Sequence, residues 1–264
     1  MIGDNAGVTD ALSRIRIVLV EPTHPGNIGA AARAMKTMGL RRLHLVAPRE
    51  FPSAVATAFA AGADDLLVAA EVSATLPAAV AGCSLIIGTS ARDRRIAWPA
   101  ETPRDCAVRL MNMPPTTEAA VVFGREHAGL TNAEIEHCHM MMRIPTHPDF
   151  SSLNLAAAVQ VIAYELRVAV ERVADQKFPS AALHSPPVTL SMSSLHSPPV
   201  TSDDMERLYA HLEQTLIEVG FLDPDKPRRL MRRLRRLFSR TGVDEHEYNI
   251  LRGFLAAVQE RIRN

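Results

Sequence analysis

Long apolar runs are missing from this sequence. No stretch approaches the roughly 20 consecutive apolar residues that a bilayer-spanning helix needs, and the opening MIGDNAGVTDALSR holds no apolar core of signal-peptide length. A soluble, cytoplasmic chain is expected. Cysteine is scarce: Cys83, Cys106 and Cys138 are widely spaced, odd in number and form no C-x-x-C pair, which argues against a disulfide frame or a zinc site. Cys138 does lie in His137-Cys138-His139. Adjacent side chains point in different directions on a helix or a strand, so the triplet reads as an element boundary and not as a metal site. Net charge is lacking too, since 29 Lys+Arg balance 29 Asp+Glu. That disfavours a protein held to nucleic acid by bulk charge but leaves room for a local basic patch. Neither G-x-x-x-x-G-K-[ST] nor G-x-G-x-x-G occurs, which disfavours a P-loop protein and a nucleotide-dependent oxidoreductase.

What is present is an ordinary globular composition over 264 residues, 47% of them hydrophobic. That is enough for one large domain, or a medium one with a small companion. IRIVLV (15–20) reads as a buried strand. Asn27 to Met38 predicts a helix with Asn27 as N-cap and Gly39 as stop. Strands are predicted at 43–48, 66–68, 83–91, 119–124 and 140–145, and helices at 53–61, 73–82 and 131–138. The last carries a Thr131/Glu134 capping box. A long amphipathic helix is predicted from Leu153 to about Val173. Alternating strands and helices imply an α/β domain with a mainly parallel sheet over 1–175. Residues 176–202 are rich in Ser and Pro and contain LHSPPVT twice. A 12-residue spacing is too short for a structural repeat, so this is read as duplicated linker. From 203 to 264 the pattern is helical: Asp203 or Asp204 capping a helix through Val219, then helices over about 227–239 and 244–262.

Four segments carry chemistry. In THPGNIGAAARAMKTMG (23–39) glycines allow a tight turn from strand to helix, and Asn27 and Arg33 stand six residues apart. Taken alone, Asn27 is a cap and Arg33 a surface residue. GTSARDRR (88–95) leaves small residues at a strand's carboxyl end, where open α/β sheets bind ligands; Arg92, Arg94 and Arg95 follow and suit phosphate. In FGREHAGLTNAEIEHC (123–138), Glu126 is either a ligand contact or a solvated carboxylate. In IPTHPDFSSLNLAAAVQVIAYE (144–165), Ser151, Ser152 and Asn154 cluster at a helix start. There, free N–H groups await either a ligand anion or ordinary capping by a serine.

Together these segments resemble the SpoU branch of the SPOUT methyltransferases. That family is marked by Asn followed six residues later by Arg (Asn27, Arg33), by Gly-x-Glu-x-x-Gly-Leu (Gly124 to Leu130), and by Ser-Leu-Asn opening a helix (Ser152, Leu153, Asn154). Within the branch, 22–40, 89–92, 151–165, 234–240 and 247–253 are most similar to the group that 2′-O-methylates nucleotide 32 of the tRNA anticodon loop. The resemblance implies a trefoil-knotted parallel-sheet α/β domain, the knot lying roughly in 119–165, followed by a small helical extension. It implies a homodimer with the active site at the subunit interface, and S-adenosylmethionine as cofactor. The cofactor contacts carry over to Thr89, Ser90, Ala91, Gly124, Ile144, Ser151, Ser152 and Leu153.

The catalytic set implied is Arg33, Asn27, Glu126 and Asn154. Arg33 binds phosphate and hydroxyl and stabilises developing charge, since arginine is a poor proton acceptor. The neutral thioether leaves without Lewis-acid help, so no metal is expected. PRRLMRRLRRLFSR (227–240) sets Leu230, Leu234 and Leu237 at helical spacing to pack, with arginines left to face tRNA phosphates, Arg232 and Arg236 among them, beside Arg92 and Arg94 of the first domain. The alternatives are a ribosomal-RNA enzyme of the same branch and a catalytically silent dimeric RNA-binding module. No membrane contact is expected.

Overall fold

The computed structural model describes residues 11–90, 100–176, 200–227 and 229–263. Strand β1 (Ile15–Val20) is the IRIVLV run. Ile15, Ile17 and Leu19 enter one apolar cluster, Val18 and Val20 another. Burial on both faces is what a run rich in β-branched residues, with Arg16 its one polar member, favours. On one side β1 pairs in parallel with β2 (Arg42–Val46), beyond which lies β3 (Glu71–Ser73). On the other it pairs with β6 (Glu118–Phe123), followed by β4 (Cys83–Thr89), β7 (Met140–Met142) and β5 (Ala100–Glu101). The order is β3-β2-β1-β6-β4-β7-β5, every pairing parallel. The parallel α/β class read from the sequence is the one found.

β6 and β7 are late insertions: β6 separates β1 from β4, and β7 separates β4 from β5. The carboxyl ends of β6, β4 and β7 therefore stand side by side although their residues are far apart in the chain. Among the described residues the sheet is accompanied by helices α1 (Pro25–Met38), α2 (Ala54–Ala60), α3 (Asp64–Val68), α4 (Leu76–Val80), α5 (Pro103–Met111), α6 (Asn132–Ile135) and α7 (Leu155–Gln176). Ile28 and Met35 of α1 join Val159, Ile162 and Leu166 of α7 in one core, while Leu76 and Val80 of α4 and Ile135 of α6 fill the other. At Gly29 an added Cβ would sit 2.0 Å from the Ala56 carbonyl oxygen, so α1 and α2 approach at a distance that only glycine permits.

Several local expectations are corrected. Residues 66–68 are not a strand but the end of α3, because three apolar residues cannot by themselves distinguish one helical turn from a strand. The strand is the more polar 71–73, which sits at the sheet edge. Asn27 is not the cap of α1. His24 is, its ring accepting from the Gly26 N–H at 3.0 Å, with Pro25 in the first turn. α7 starts at Leu155, and its first turn is capped by Asn154, not by a serine: Asn154 Oδ1 accepts from the Ala156 and Ala157 N–H groups at 2.9 and 3.3 Å. Strand β5 and helix α5 were not anticipated, although Thr102 followed by Pro103 is a helix-start signal.

The chain divides into two compact units, Met1–Ala181 and Ala182–Asn264. The second contains α8 (Ser202–Glu218), α9 (Leu230–Thr241) and α10 (Glu245–Arg263). Thr201 caps α8, with Asp203 and Asp204 in its first turn where the helix dipole favours them. The packing face of α9 differs from the leucine stripe expected. Met231 and Phe238 lie against the cluster of Met205, Leu208, Tyr209 and Leu255, while Leu237 is 52% exposed. Arg235 is on that inner face too. Its guanidinium lies 4.3 Å from the Tyr209 ring centroid and pairs with Glu206. One arginine of the run is thus a packing residue that buries its stem and satisfies its head locally.

Candidate active site

A cavity of about 230 Å³ opens at the carboxyl ends of β4, β6 and β7. Thr89 and Ser90 line it from the end of β4, Phe123 and Gly124 from the end of β6, and Met142 and Ile144 from β7 and the residues after it. The approach to α7 adds Thr146, Ser151, Ser152 and Leu153. Of the residues expected to contact a cofactor, Thr89, Ser90, Gly124, Ile144, Ser151, Ser152 and Leu153 are thereby brought around one cavity. Ala91, Arg92 and Arg94 lie outside the described residues.

Local chemistry shapes each wall. The Ser90 N–H donates to the Met142 carbonyl at 3.1 Å, carrying the β4–β7 ladder one residue past the strand. Gly124 is followed by a tight loop in which the Gly129 N–H donates to the Arg125 carbonyl at 2.8 Å, with Gly129 at φ +67°. The loop folds so closely on Gly124 that a Cβ there would lie 2.1 Å from the Gly129 carbonyl carbon.

At the rim of this loop, Glu126 is the hub of a polar network. Its carboxylate accepts from the Thr23 N–H at 3.0 Å, the Thr23 hydroxyl at 2.8 Å, the His24 N–H at 3.3 Å and the Asn27 amide at 2.9 Å. Asn27 in turn accepts from Asn154 Nδ2 at 2.9 Å. The start of α1, the loop after β6 and the start of α7 are joined by this one chain of bonds. It orients both amides, because Asn154 Oδ1 is held by its own helix and Asn27 Nδ2 by Glu126. Burial alone would push the Glu126 carboxyl up. The bonds from Asn27 and Thr23 outweigh burial and hold its pKa at about 2. Glu126 is therefore a carboxylate throughout the neutral range and an anchor, not a proton acceptor.

A folded-state pKa below the unfolded value of about 4.3 contributes stability that is present above that value and is lost as pH falls toward about 2. Glu126→Gln is expected to melt at a lower temperature than wild type at pH 7. The gap should narrow as pH falls from about 4 toward 2. Melting curves across that range check it; a gap that closes instead between pH 8 and 5 would contradict the assignment.

Asn27, Glu126 and Asn154 are thus brought together, but Arg33 is not with them. Six residues turn a helix by about 240° and advance it about 9 Å. Arg33 is exposed, and no described residue hydrogen-bonds or ion-pairs with its side chain. Arg232 and Arg236 are half-buried on α9 of the second unit. Thr23 and Glu21 belong to the site's surroundings and Arg125 to the cavity lining, and the sequence assigned none of the three a role. Arg125, inside the Gly-x-Glu motif, and Thr23, at the head of the 23–39 segment, carried a positional hint; Glu21 carried none.

The triplet at 137–139 splits as its alternation requires. The Cys138 thiol is buried, which pushes its pKa up to about 12, and His139 Nδ1 accepts from the Ile86 N–H at 2.9 Å. Among the described residues, no three His, Cys, Asp or Glu side chains gather as metal ligands. Among them, too, no helix is long and apolar enough to cross a membrane.

A parallel sheet whose late-inserted strands bring a Gly-x-Glu loop and a Ser-Leu-Asn helix start to one cavity has the architecture of an RNA methylase of the SpoU type. The sequence profile of the SpoU rRNA Methylase family matches residues 14–164, and the chain belongs to that family. Its relatives narrow the group further. Residues 203–264 match the C-terminal domain of the tRNA methyltransferase TrmJ. The chain is 53% identical to the tRNA (cytidine/uridine/adenosine-2′-O-)-methyltransferase TrmJ of Pseudomonas aeruginosa, over 96% of each chain. It is 47% identical to the tRNA (cytidine/uridine-2′-O-)-methyltransferase TrmJ of Klebsiella pneumoniae, over 95% of this chain and 98% of the relative. The crystal structure of TrmJ from Z. mobilis superposes with a TM-score of 0.76 at 32% identity, covering 92% of this chain and 98% of that one.

Proposed function

We propose that this chain is an S-adenosylmethionine-dependent methyltransferase acting on a ribose 2′-hydroxyl of tRNA, at cytidine or uridine 32 of the anticodon loop. The observation that carries the reading is the convergence of Thr89, Gly124 and Ser152 on one cavity. In this reading residues 1–175 form the catalytic domain, 176–202 a linker, and 203–264 a helical region for RNA or dimer contacts. The chain is a cytoplasmic homodimer, and the late entry of β6 and β7 belongs to a trefoil knot.

The cavity suits the cofactor by its donor set. Small residues (Ser90, Gly124, Ser151) leave backbone groups accessible to a heterocycle's polar edge, and Ile144, Leu153 and Met142 offer apolar contact. When bound, S-adenosylmethionine supplies a methyl group on a sulfonium whose leaving group is a neutral thioether. Thr89, Ser90, Gly124, Ile144 and Ser151–Leu153 hold it, together with Ala91. Glu126, Asn27 and Asn154 fix the two helix starts and the loop that frame the site. Arg33 acts from the partner subunit. It binds the phosphate next to the target ribose and stabilises negative charge developing on the 2′-oxygen. Arg92, Arg94, Arg232 and Arg236 meet backbone phosphates.

The test is a map of ribose methylation in tRNA from cells with and without the gene. One anticodon-loop 2′-O-methyl mark should disappear and return with the wild-type chain. An unchanged tRNA map with a lost ribosomal-RNA mark would overturn the substrate assignment. Failure of the purified protein to bind S-adenosylmethionine in a calorimetric titration would overturn the enzyme.

A further inference from the structure

Arg125 follows Gly124 and precedes Glu126, and its guanidinium is engaged on two sides. Nε donates to Glu21 Oε2 at 2.9 Å and Nη2 to Glu21 Oε1; Nη1 and Nη2 donate to the Glu134 carboxylate at 3.0 and 2.9 Å. Its side chain is only 19% exposed, and Glu134 only 15%. Glu134 is also the distal member of the capping box that starts α6, accepting from the Thr131 N–H at 2.7 Å.

Glu21 is the first residue after β1 and holds a left-handed backbone at φ +44°, a conformation that side chains other than glycine rarely adopt. Its N–H is tied to the Val46 carbonyl at 2.8 Å. Residues 21–24 and 125–126 therefore meet through two adjacent fastenings: Glu21 with Arg125, and Thr23 and His24 with Glu126. A strained non-glycine conformation retained at such a point is what a functional constraint leaves behind.

We infer that Arg125 is a positioning residue of the cavity. It fastens the loop after β6 both to the exit of β1 and to α6, and so sets where Gly124 and Glu126 stand. This rests on the reading of the cavity as the cofactor site. Arg125 needs to touch no ligand for this role. Its donors are directed to the two carboxylates, and what it fixes is the backbone on either side. The role calls for arginine in particular, since one planar fork must satisfy two carboxylates at once and a lysine ammonium is a point charge.

The experiment compares wild type, Arg125→Lys, Arg125→Ala and Glu134→Gln for S-adenosylmethionine affinity by calorimetry, for kcat and KM on tRNA transcripts, and for Tm. Glutamine can still serve in a capping box, so Glu134→Gln isolates the link to Arg125 even if Arg125→Ala does not fold. The three variants are expected to bind the cofactor about tenfold more weakly, the order of losing one charge-assisted hydrogen bond that holds the loop in place. At saturating cofactor kcat should stay within about threefold of wild type. Arg125→Lys should fail to rescue. Wild-type affinity in Arg125→Lys, or a lowered Tm in the variants with unchanged cofactor affinity, would reduce Arg125 to a simple brace and overturn the inference. If the wild type itself did not bind S-adenosylmethionine, the functional reading would fall first, and the two failures are thereby told apart.

Discussion

Arg33→Ala is expected to lower methyl transfer to tRNA by about 10²–10³-fold, the range for removing one charge-stabilising donor, while cofactor affinity stays within about twofold. The separation follows from geometry. Arg33 is exposed on α1 and absent from the cavity lining that includes Thr89, Gly124 and Ser152. On its own helix it is rotated away from Asn27, which does face the Glu126 network. A residue placed there does not line its own cavity, but it can serve the cavity of a second copy across a two-fold interface. Mixed dimers decide between these. Arg33→Ala supplies an intact cavity and no guanidinium; Gly124→Ala supplies the guanidinium and no working cavity. Random mixing makes half the dimers hybrid, each with one complete site if Arg33 acts in trans, so about a quarter of wild-type activity should return. Two inactive variants that stay inactive when mixed, with exchange shown by sedimentation or mass spectrometry, would place Arg33 in cis and remove the interface from the mechanism.

The elements legible in the sequence were those whose burial leaves a periodic trace. IRIVLV, buried on both faces, and α1 with its Gly39 stop were recognisable because burial and left-handed φ constrain residue type directly. Edge and short elements were not. β3 is polar because a sheet edge buries little, and Leu66-Leu67-Val68 is too short to show a period. On α9 the leucines misled because a stripe in the sequence does not say which side faces inward. Tyr209 and Glu206 drew Arg235 to that side, a preference that only the partner helix reveals.

The same distinction holds at the site. The motifs marked Asn27, Glu126 and Asn154 as important, but not how they connect. Asn27 as a cap was a sound expectation from type and position. It lost to His24, whose ring bonds the Gly26 N–H and so frees the Asn27 amide to join Glu126 to Asn154. Glu21 carried no sequence signal, and Thr23 lay inside the 23–39 segment without any sign of its partner, because their roles arise from a loop contact spanning about a hundred residues of chain.

The glycines separate site from scaffold in a way that substitution can measure. Gly124→Ala is expected to weaken S-adenosylmethionine binding by about 10–100-fold, the equivalent of the cost of overpacking falling on the loop that holds the cofactor. Its new Cβ would lie 2.1 Å from the Gly129 carbonyl carbon and 2.2 Å from the Leu130 nitrogen. Those are backbone atoms with no rotamer to yield, so the loop from Arg125 to Gly129 that lines the cavity must itself move. Gly29→Ala meets an equally hard obstacle, the Ala56 carbonyl oxygen at 2.0 Å, but the contact is between α1 and α2 and borders no part of the cavity. Its cost should appear as stability, about 1–3 kcal/mol as in other overpacked sites, with the folded fraction binding cofactor normally. Gly129→Ala meets nothing within 4 Å but must hold φ +67°. An alanine pays about 1–2 kcal/mol for that conformation, so its effect on binding should be the smaller of the two loop variants. Calorimetric affinity and melting temperature for the three variants test the ordering. Wild-type cofactor affinity in a folded Gly124→Ala protein would mean that the loop after β6 does not hold the cofactor at all.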